Sequence, residues 1–166
     1  MAFSLSKRSR DRLVGVHPDL RKVVERAIQL TPQDFGVSEG VRSVARQAQL
    51  VAQGASQTMN SRHITGHAVD LFAVERGKVV WDWPRYMLIA DAMKAAAGEF
   101  GVSLRWGGAW NVENLAAFDG SSEDAMADYV AARKAQGRRP FLDGPHFELP
   151  ASLYGTENPA LGEREA

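Results

Sequence analysis

The chain has 166 residues, 45% of them hydrophobic, enough to bury one core and short for two, so a single domain over 1–166 is expected. Lys and Arg total 20, as do Asp and Glu, a balance that leaves no net field to draw nucleic acid or to bind an anionic membrane. Cysteine is absent, which excludes disulfides, thiolate metal sites and thiol nucleophiles together and leaves any metal to histidine and carboxylate.

In chain order, the N-terminus "MAFSLSKRSRDRLVGV" lacks the apolar core of a secretory signal, and its basic run at 7–10 reads as a solvated terminus. No stretch approaches the ~20 apolar residues of a membrane span. The expected location is therefore the cytoplasm of the producing cell, without membrane insertion. "HPDLRKVVERAIQLT" places Pro18 in a first turn and Leu20, Val23, Val24, Ala27 and Ile28 at helical spacing. "FGVSEGV" reads as a strand, and Ser43 caps a second helix, "VARQAQLVAQG", ending at Gly54. The polar "ASQTMNSRHITG" is a loop feeding "HAVDLFAVERGKVVWDW", a hairpin turning at Glu75-Arg76-Gly77. Pro84 opens the longest helix, which Gly101 stops, and "VSLRW" is a further strand. In 111–140, "SSEDAMADYVAARKAQG" has helical composition with Ser122 as its cap, between loop-like flanks, and this stretch is expected to cover a cleft. "DGPHFELP" is a short strand ended by Pro150, and the polar tail 151–166 is expected to be loosely held. Helices mixed with hairpins, rather than strict alternation, imply an α+β fold with a mostly antiparallel sheet.

Four histidines can do chemistry: His17, His63, His67 and His146. His17 precedes Pro18 at a helix start, where capping or exposure explains it. His63 and His67 stand four apart, as on a zinc-binding helix, but Gly66 and the β-branched Ile64 and Thr65 argue against a helix there. If "HAVDLFAV" is a strand, Ala68, Asp70 and Phe72 share one face, and an aspartate on a core-directed face needs a partner, either a turn hydrogen bond or a metal. In "FLDGPHFEL", Asp143 and His146 are held together by the bend at Gly144-Pro145. His63, Asp70 and His146 then offer two imidazoles and a carboxylate, with a fourth position left for water, and Asp143 a base to take that water's proton.

Ser61-x-His63-x-x-Gly66-x-Ala68-x-Asp70, followed far downstream by Asp143-x-x-His146, resembles the signature of the zinc D-alanyl-D-alanine and L-alanyl-D-glutamate metallopeptidases. The resemblance extends to "GVRSVARQAQLVAQG" and "LRWGGAW" and covers about residues 17–150, the expected domain core. It implies a hedgehog/D-Ala-D-Ala-peptidase-like fold, one Zn2+ on His63, Asp70 and His146, Asp143 as general base, and Arg42 in the cleft holding a substrate carbonyl or oxyanion, where the alternative for Arg42 is a surface ion pair. His67 falls on a variable position of the motif and is not expected to be a ligand. Ser61 orients His63, touches substrate or is a simple turn residue. Glu148 either supports a ligand from the same strand face or is a charged strand end. Trp106 and Trp110 floor the groove or merely pack. One departure is Ala109, where the L-alanyl-D-glutamate branch commonly carries an acid directly after the paired glycines.

The implied function is that of a phage endolysin. It would be a monomeric zinc peptidase that cuts the L-alanyl-D-glutamate bond of peptidoglycan stem peptides, reaching the wall from the cytoplasm once a holin opens the membrane. A D-alanyl-D-alanine carboxypeptidase or dipeptidase with the same metal site is the alternative enzyme. A zinc-containing binding module without catalysis is the alternative from another class, and Asp143 argues against it.

Overall fold

In the computed structural model, which describes residues 2–162, the basic N-terminal run is helical, its Lys7, Arg8 and Arg10 exposed to solvent as expected and only Ser9 buried. Helix α1 (Lys7–Arg12) is capped by Ser6, whose hydroxyl accepts the Ser9 N–H. The buried Ser9 hydroxyl accepts from Val37 N at 3.0 Å, and Arg12 donates to the Val37 carbonyl at 2.8 Å. Polar side chains of this helix thus satisfy the backbone of strand β1 (Phe35–Glu39), a pairing without local sequence signature.

Helix α2 (Pro18–Leu30) buries Leu20, Val23, Val24, Ala27 and Ile28, and His17 caps it through Nδ1, which accepts the Asp19 N–H. Helix α3 (Val44–Ala52) is capped by Ser43. Strands β2 (Ala68–Glu75) and β3 (Lys78–Val80) form the expected hairpin, with Glu75 paired to Lys78. Helix α4 (Trp83–Phe100) is capped by Asp82 and stopped by Gly101. Strands β4 (Arg105–Trp106) and β5 (His146–Glu148) complete one antiparallel five-stranded sheet in the order β1-β2-β5-β4, with β3 on β2. The architecture is α+β, as the pattern of elements implies.

The core lies on one face of that sheet. Phe35 and Val37, then Val69, Leu71 and Ala73, then Trp106 and Phe147 join the apolar stripes of α2 and α4 in one cluster. In β2 this alternation corrects the expected facing. The core side carries Val69, Leu71 and Ala73, whereas Asp70 and Phe72 are half-buried on the other side. Asp70 therefore occupies the uncovered face, where a polar cleft can form, and is not a charge thrust into apolar packing.

Residues 111–140 do not cover that cleft. A 3-10 turn at Leu115–Ala117 and helix α5 (Ser122–Ala135) pack on the core instead, burying Leu115, Ala125 and Tyr129. Lys94 of α4 donates to the Phe118 carbonyl at 2.8 Å, and Asp91 accepts from Ser122 N at 2.8 Å. The cap of α5 is Ser121 rather than Ser122, in a reciprocal box with Asp124. The C-terminal segment is tied down as far as it is described. It forms the short helices α6 (Ala151–Tyr154) and α7 (Pro159–Gly162). Tyr154 donates to Asp19 at 2.9 Å, and the Asn158 amide donates to the Gly15 and Thr65 carbonyls, both at 2.9 Å. The rest of the expected loose tail, 163–166, lies outside the described residues. Among the described residues no helix is long and apolar enough to cross a membrane.

Candidate active site

Strand register builds the site. Glu39 pairs with Asp70 across β1 and β2, and Asp70 pairs with His146 across β2 and β5, so three ionisable side chains form a row across the sheet. His63 is added from the loop before β2, which turns at Gly66. There φ is +73°, and a Cβ would stand 2.6 Å from the Gly15 carbonyl oxygen, so both conformation and space call for glycine. The result is a cluster in which one donor atom each of His63, Asp70 and His146 lies within 4.8 Å of the others. His67, by contrast, is buried away from this cluster, bonded through Nδ1 to Thr65 at 2.8 Å and through Nε2 to the Glu157 carbonyl at 3.0 Å.

The second nitrogen of each imidazole in the cluster decides whether a cation fits. His63 Nδ1 lies 2.9 Å from the Gly40 carbonyl, which can only accept, so Nδ1 carries a proton and Nε2 is the nitrogen turned to Asp70, 3.3 Å from Oδ1. His146 Nε2 lies 2.8 Å from Glu148 Oε1, leaving Nδ1 toward Asp70 at 3.3 Å. Both rings are thus held by partners outside the cluster with the other nitrogen turned to Asp70, the orientation a divalent ion needs, and the donor set of two nitrogens and one carboxylate suits zinc-like chemistry. Burial opposes ionisation of Asp70, but hydrogen bonds and charge from His146 and His63 outweigh it and hold its carboxyl well below the usual range. Burial likewise pulls His146 down, and Asp70 and Glu148 outweigh that and raise it. A bound cation would take the place of the proton that this acidic surrounding retains.

Arg42 is in the cleft, but its fork is occupied. Nε and Nη2 bond both oxygens of Glu39 at 2.7 and 2.6 Å, and Nη1 donates to Gln47 at 2.8 Å and reaches Ser61 at 3.4 Å. Its Nη2 stands 3.7 Å from Asp70 Oδ2, and its backbone N–H donates to the His63 carbonyl at 3.0 Å. Ser61 also accepts the His63 N–H at 3.2 Å, so it organises the loop that bears His63. Glu39, on the same strand face as the cluster, went unrecognised in the sequence. Its only signal is an acid ending an apolar strand three residues before Arg42.

Asp143 and His146 are held by Gly107, the first of the glycine pair. Asp143 N donates to the Gly107 carbonyl at 2.8 Å, and Gly107 N donates to the His146 carbonyl at 2.9 Å. A Cβ on Gly107 would lie 2.1 Å from the Asp143 carbonyl oxygen, so the backbones touch only because Gly107 has no side chain. Burial lifts the Asp143 carboxyl above its ordinary value, against the pull of His146. The two tryptophans separate. Trp106 is fully buried against Trp83 and Phe147 and donates to the Gly144 carbonyl at 2.8 Å, whereas Trp110 lies 5.3 Å from the His146 ring and lines the cleft beside Phe141. The cleft, of about 910 Å³, brings together His63, Asp70, His146, Asp143, Arg42 and Glu148. Arg105 also lines it. Strand parity carried a signal for Arg105, which alternates with the buried Leu104 and Trp106. Ala109 is buried in the core.

The chain has known counterparts. Residues 1–150 match the model of the phage L-alanyl-D-glutamate peptidase family. The chain is 39% identical over 153 residues to the L-alanyl-D-glutamate peptidase of Escherichia phage T5, covering 90% of this chain and 99% of that one. It is 30% identical over 121 residues to the L-alanyl-D-glutamate peptidase of Listeria phage A118, covering 73% of this chain and 32% of that protein. The crystal structure of the Serratia marcescens L-Ala D-Glu endopeptidase ChiX superposes with a TM-score of 0.68 at 40% identity, over 89% of this chain and 90% of that one. With the family model spanning nine-tenths of its length, the chain belongs to the phage L-alanyl-D-glutamate peptidase family.

Proposed function

We propose that this protein is a zinc-dependent endopeptidase that hydrolyses the L-alanyl-D-glutamate bond of peptidoglycan stem peptides and so acts as an endolysin. The observation that carries the reading is the His63, Asp70 and His146 cluster, its imidazoles already turned for a metal, in one cleft with the raised carboxyl of Asp143. The printed activities of the relatives from phage T5, phage A118 and Serratia support the choice of bond.

When bound, the zinc ion supplies Lewis acidity to the attacking water and to the scissile carbonyl. Asp143 takes the proton of that water and returns it to the leaving amine, a role suited to a carboxyl lifted toward working pH by burial. Arg42, locked by Glu39, keeps a fixed positive charge beside Asp70 and the developing oxyanion. Glu148 holds the ring of His146, and Ser61 holds the backbone of the His63 loop. Trp110 forms a cleft wall, while Trp106 supports the turn through the Gly144 carbonyl. The protein works as a monomer, made in the cytoplasm of the infected host and acting on the wall after a holin releases it.

The test is mass spectrometry of purified peptidoglycan digested with and without a chelator. Glutamate bearing a newly free amino group, lost on chelation and restored by zinc, is expected. Free D-alanine or its dipeptide would replace this reading with the carboxypeptidase, and no product at all would leave the binding module.

A further inference from the structure

Three arginines line the cleft: Arg42, Arg62 and Arg105. Two of them are committed. Arg42 gives its fork to Glu39 and its remaining edge to Gln47 and Ser61. Arg62 gives Nε and Nη2 to the Leu149 carbonyl at 3.2 and 2.9 Å and Nη1 to the Gly155 carbonyl at 2.5 Å, fastening the C-terminal segment to the ligand loop. Arg105 differs. It makes one short bond, from Nη2 to the Trp110 carbonyl at 2.9 Å, and its Nη1 contact with Glu148 is long, at 3.4 Å. Its Nε is buried without a hydrogen-bond partner, the nearest carboxylate oxygen being that of the exposed Glu113 at 3.9 Å. The orphaned Nε is itself closed to solvent, but the side chain as a whole is 25% exposed, against 9% for Arg42, and lines the cleft.

Its position is set as well. The guanidinium lies over the Trp110 ring at 5.5 Å from the centroid, which orients its plane before any ligand arrives. Through Glu148 it stands one carboxylate away from the His146 ligand. We infer that Arg105 forms a subsite for a substrate carboxylate next to the scissile bond, the free α-carboxylate of a glutamate linked through its γ-carboxyl. That group hangs two bonds from the scissile nitrogen, within the reach of a side chain one residue removed from the metal ligands. A planar guanidinium with spare N–H groups in a partly closed cleft selects a carboxylate over the isosteric carboxamide, because the amide brings no charge and turns its own donors toward Arg105.

The inference rests on the peptidase reading, and the experiment separates the two. The zinc-loaded full chain is assayed on paired stem peptides that carry the γ-linked D-glutamate either as α-carboxylate or as α-carboxamide. The wild type is expected to favour the carboxylate by roughly ten- to a hundredfold in kcat/KM, and Arg105→Gln to bring that ratio close to one. Arg105→Lys, which keeps the charge without the fork, should fall between and carries the test if the glutamine variant does not fold. The γ-linked D-glutamyl product should also bind the metal-free wild type more tightly than its α-amide, read by calorimetry, with the difference lost in Arg105→Gln. A ratio near one in the wild type, or a ratio that survives Arg105→Gln, overturns the subsite alone. A purely structural Arg105 would lower both substrates alike and leave the ratio intact, and that result also overturns it. Cleavage of neither peptide by the wild type overturns the peptidase reading and the subsite with it.

Discussion

At the scale of single residues, the site divides into groups that touch the reaction and groups that hold those in place. Asp143 lies in the cleft without belonging to the metal cluster. Asp143→Ala is therefore expected to retain one zinc per chain, measured by atomic absorption, while turnover falls roughly 100- to 10,000-fold. Survival of hydrolysis would remove the assignment of the base. Glu148 works through His146. Its carboxylate is opposed by burial, yet the bond to His146, with Arg105 and Arg62 nearby, keeps it ionised below its ordinary value. Glu148→Gln leaves a side chain that can still hydrogen-bond but no longer a charge to strengthen the imidazole. Zinc affinity is expected to fall about ten- to a hundredfold in a chelator competition, with the fold unchanged by circular dichroism.

At the scale of elements, β5 and the turn before it depend on one close approach. Gly107 bonds the backbones of both Asp143 and His146, and a methyl there would meet the Asp143 carbonyl oxygen at 2.1 Å. The neighbour is backbone in a paired segment and cannot swing aside. Gly107→Ala should cost about 1–3 kcal/mol in a urea titration and lower activity beyond that cost, because the displaced segment carries both Asp143 and His146, the proposed base and a proposed ligand. An unchanged midpoint would show that the turn relaxes freely. Helices α2 and α4 and the β2–β3 hairpin were legible from the sequence, since each carries its own period and its own stop signals. Helix α1 was not, because its stability comes from Ser9 and Arg12 bonding a strand 25 or more residues away. The placement of α5 was not legible either. Weakly amphipathic, it is positioned by contacts with α4 that no local pattern announces.

At the scale of the whole molecule, the buried His67 links the ligand loop to the C-terminal segment. Its Nε2–H donates to the Glu157 carbonyl and Nδ1 lies 2.8 Å from the Thr65 hydroxyl, and burial keeps the ring neutral near pH 7. Burial, with the nearby charges of Arg62 and His17, lowers its pKa to about 4. The unfolded chain takes up this proton near 6.5 and the folded chain only near 4. Stability from this group is thus complete above about pH 6.5 and lost as the pH falls toward 4, by up to about 3 kcal/mol. Urea unfolding of the metal-free protein between pH 7.5 and 4.5 should show a shallower loss in His67→Gln than in the wild type; coincident slopes would clear His67 of the effect. What the sequence by itself determined was the chemistry and its likeness: the spaced His63, Asp70, Asp143 and His146, the absence of thiols, and the periods of the main helices and strands, all carried by neighbours along the chain. Only the tertiary structure decided that Asp70 faces the cleft and not the core, that Glu39 locks Arg42, that Glu148 orients His146, and that Arg105 is left with unbonded donors. Those facts arise from strand register and from contacts between segments far apart in the chain, and a pairing of that kind leaves no local pattern to read.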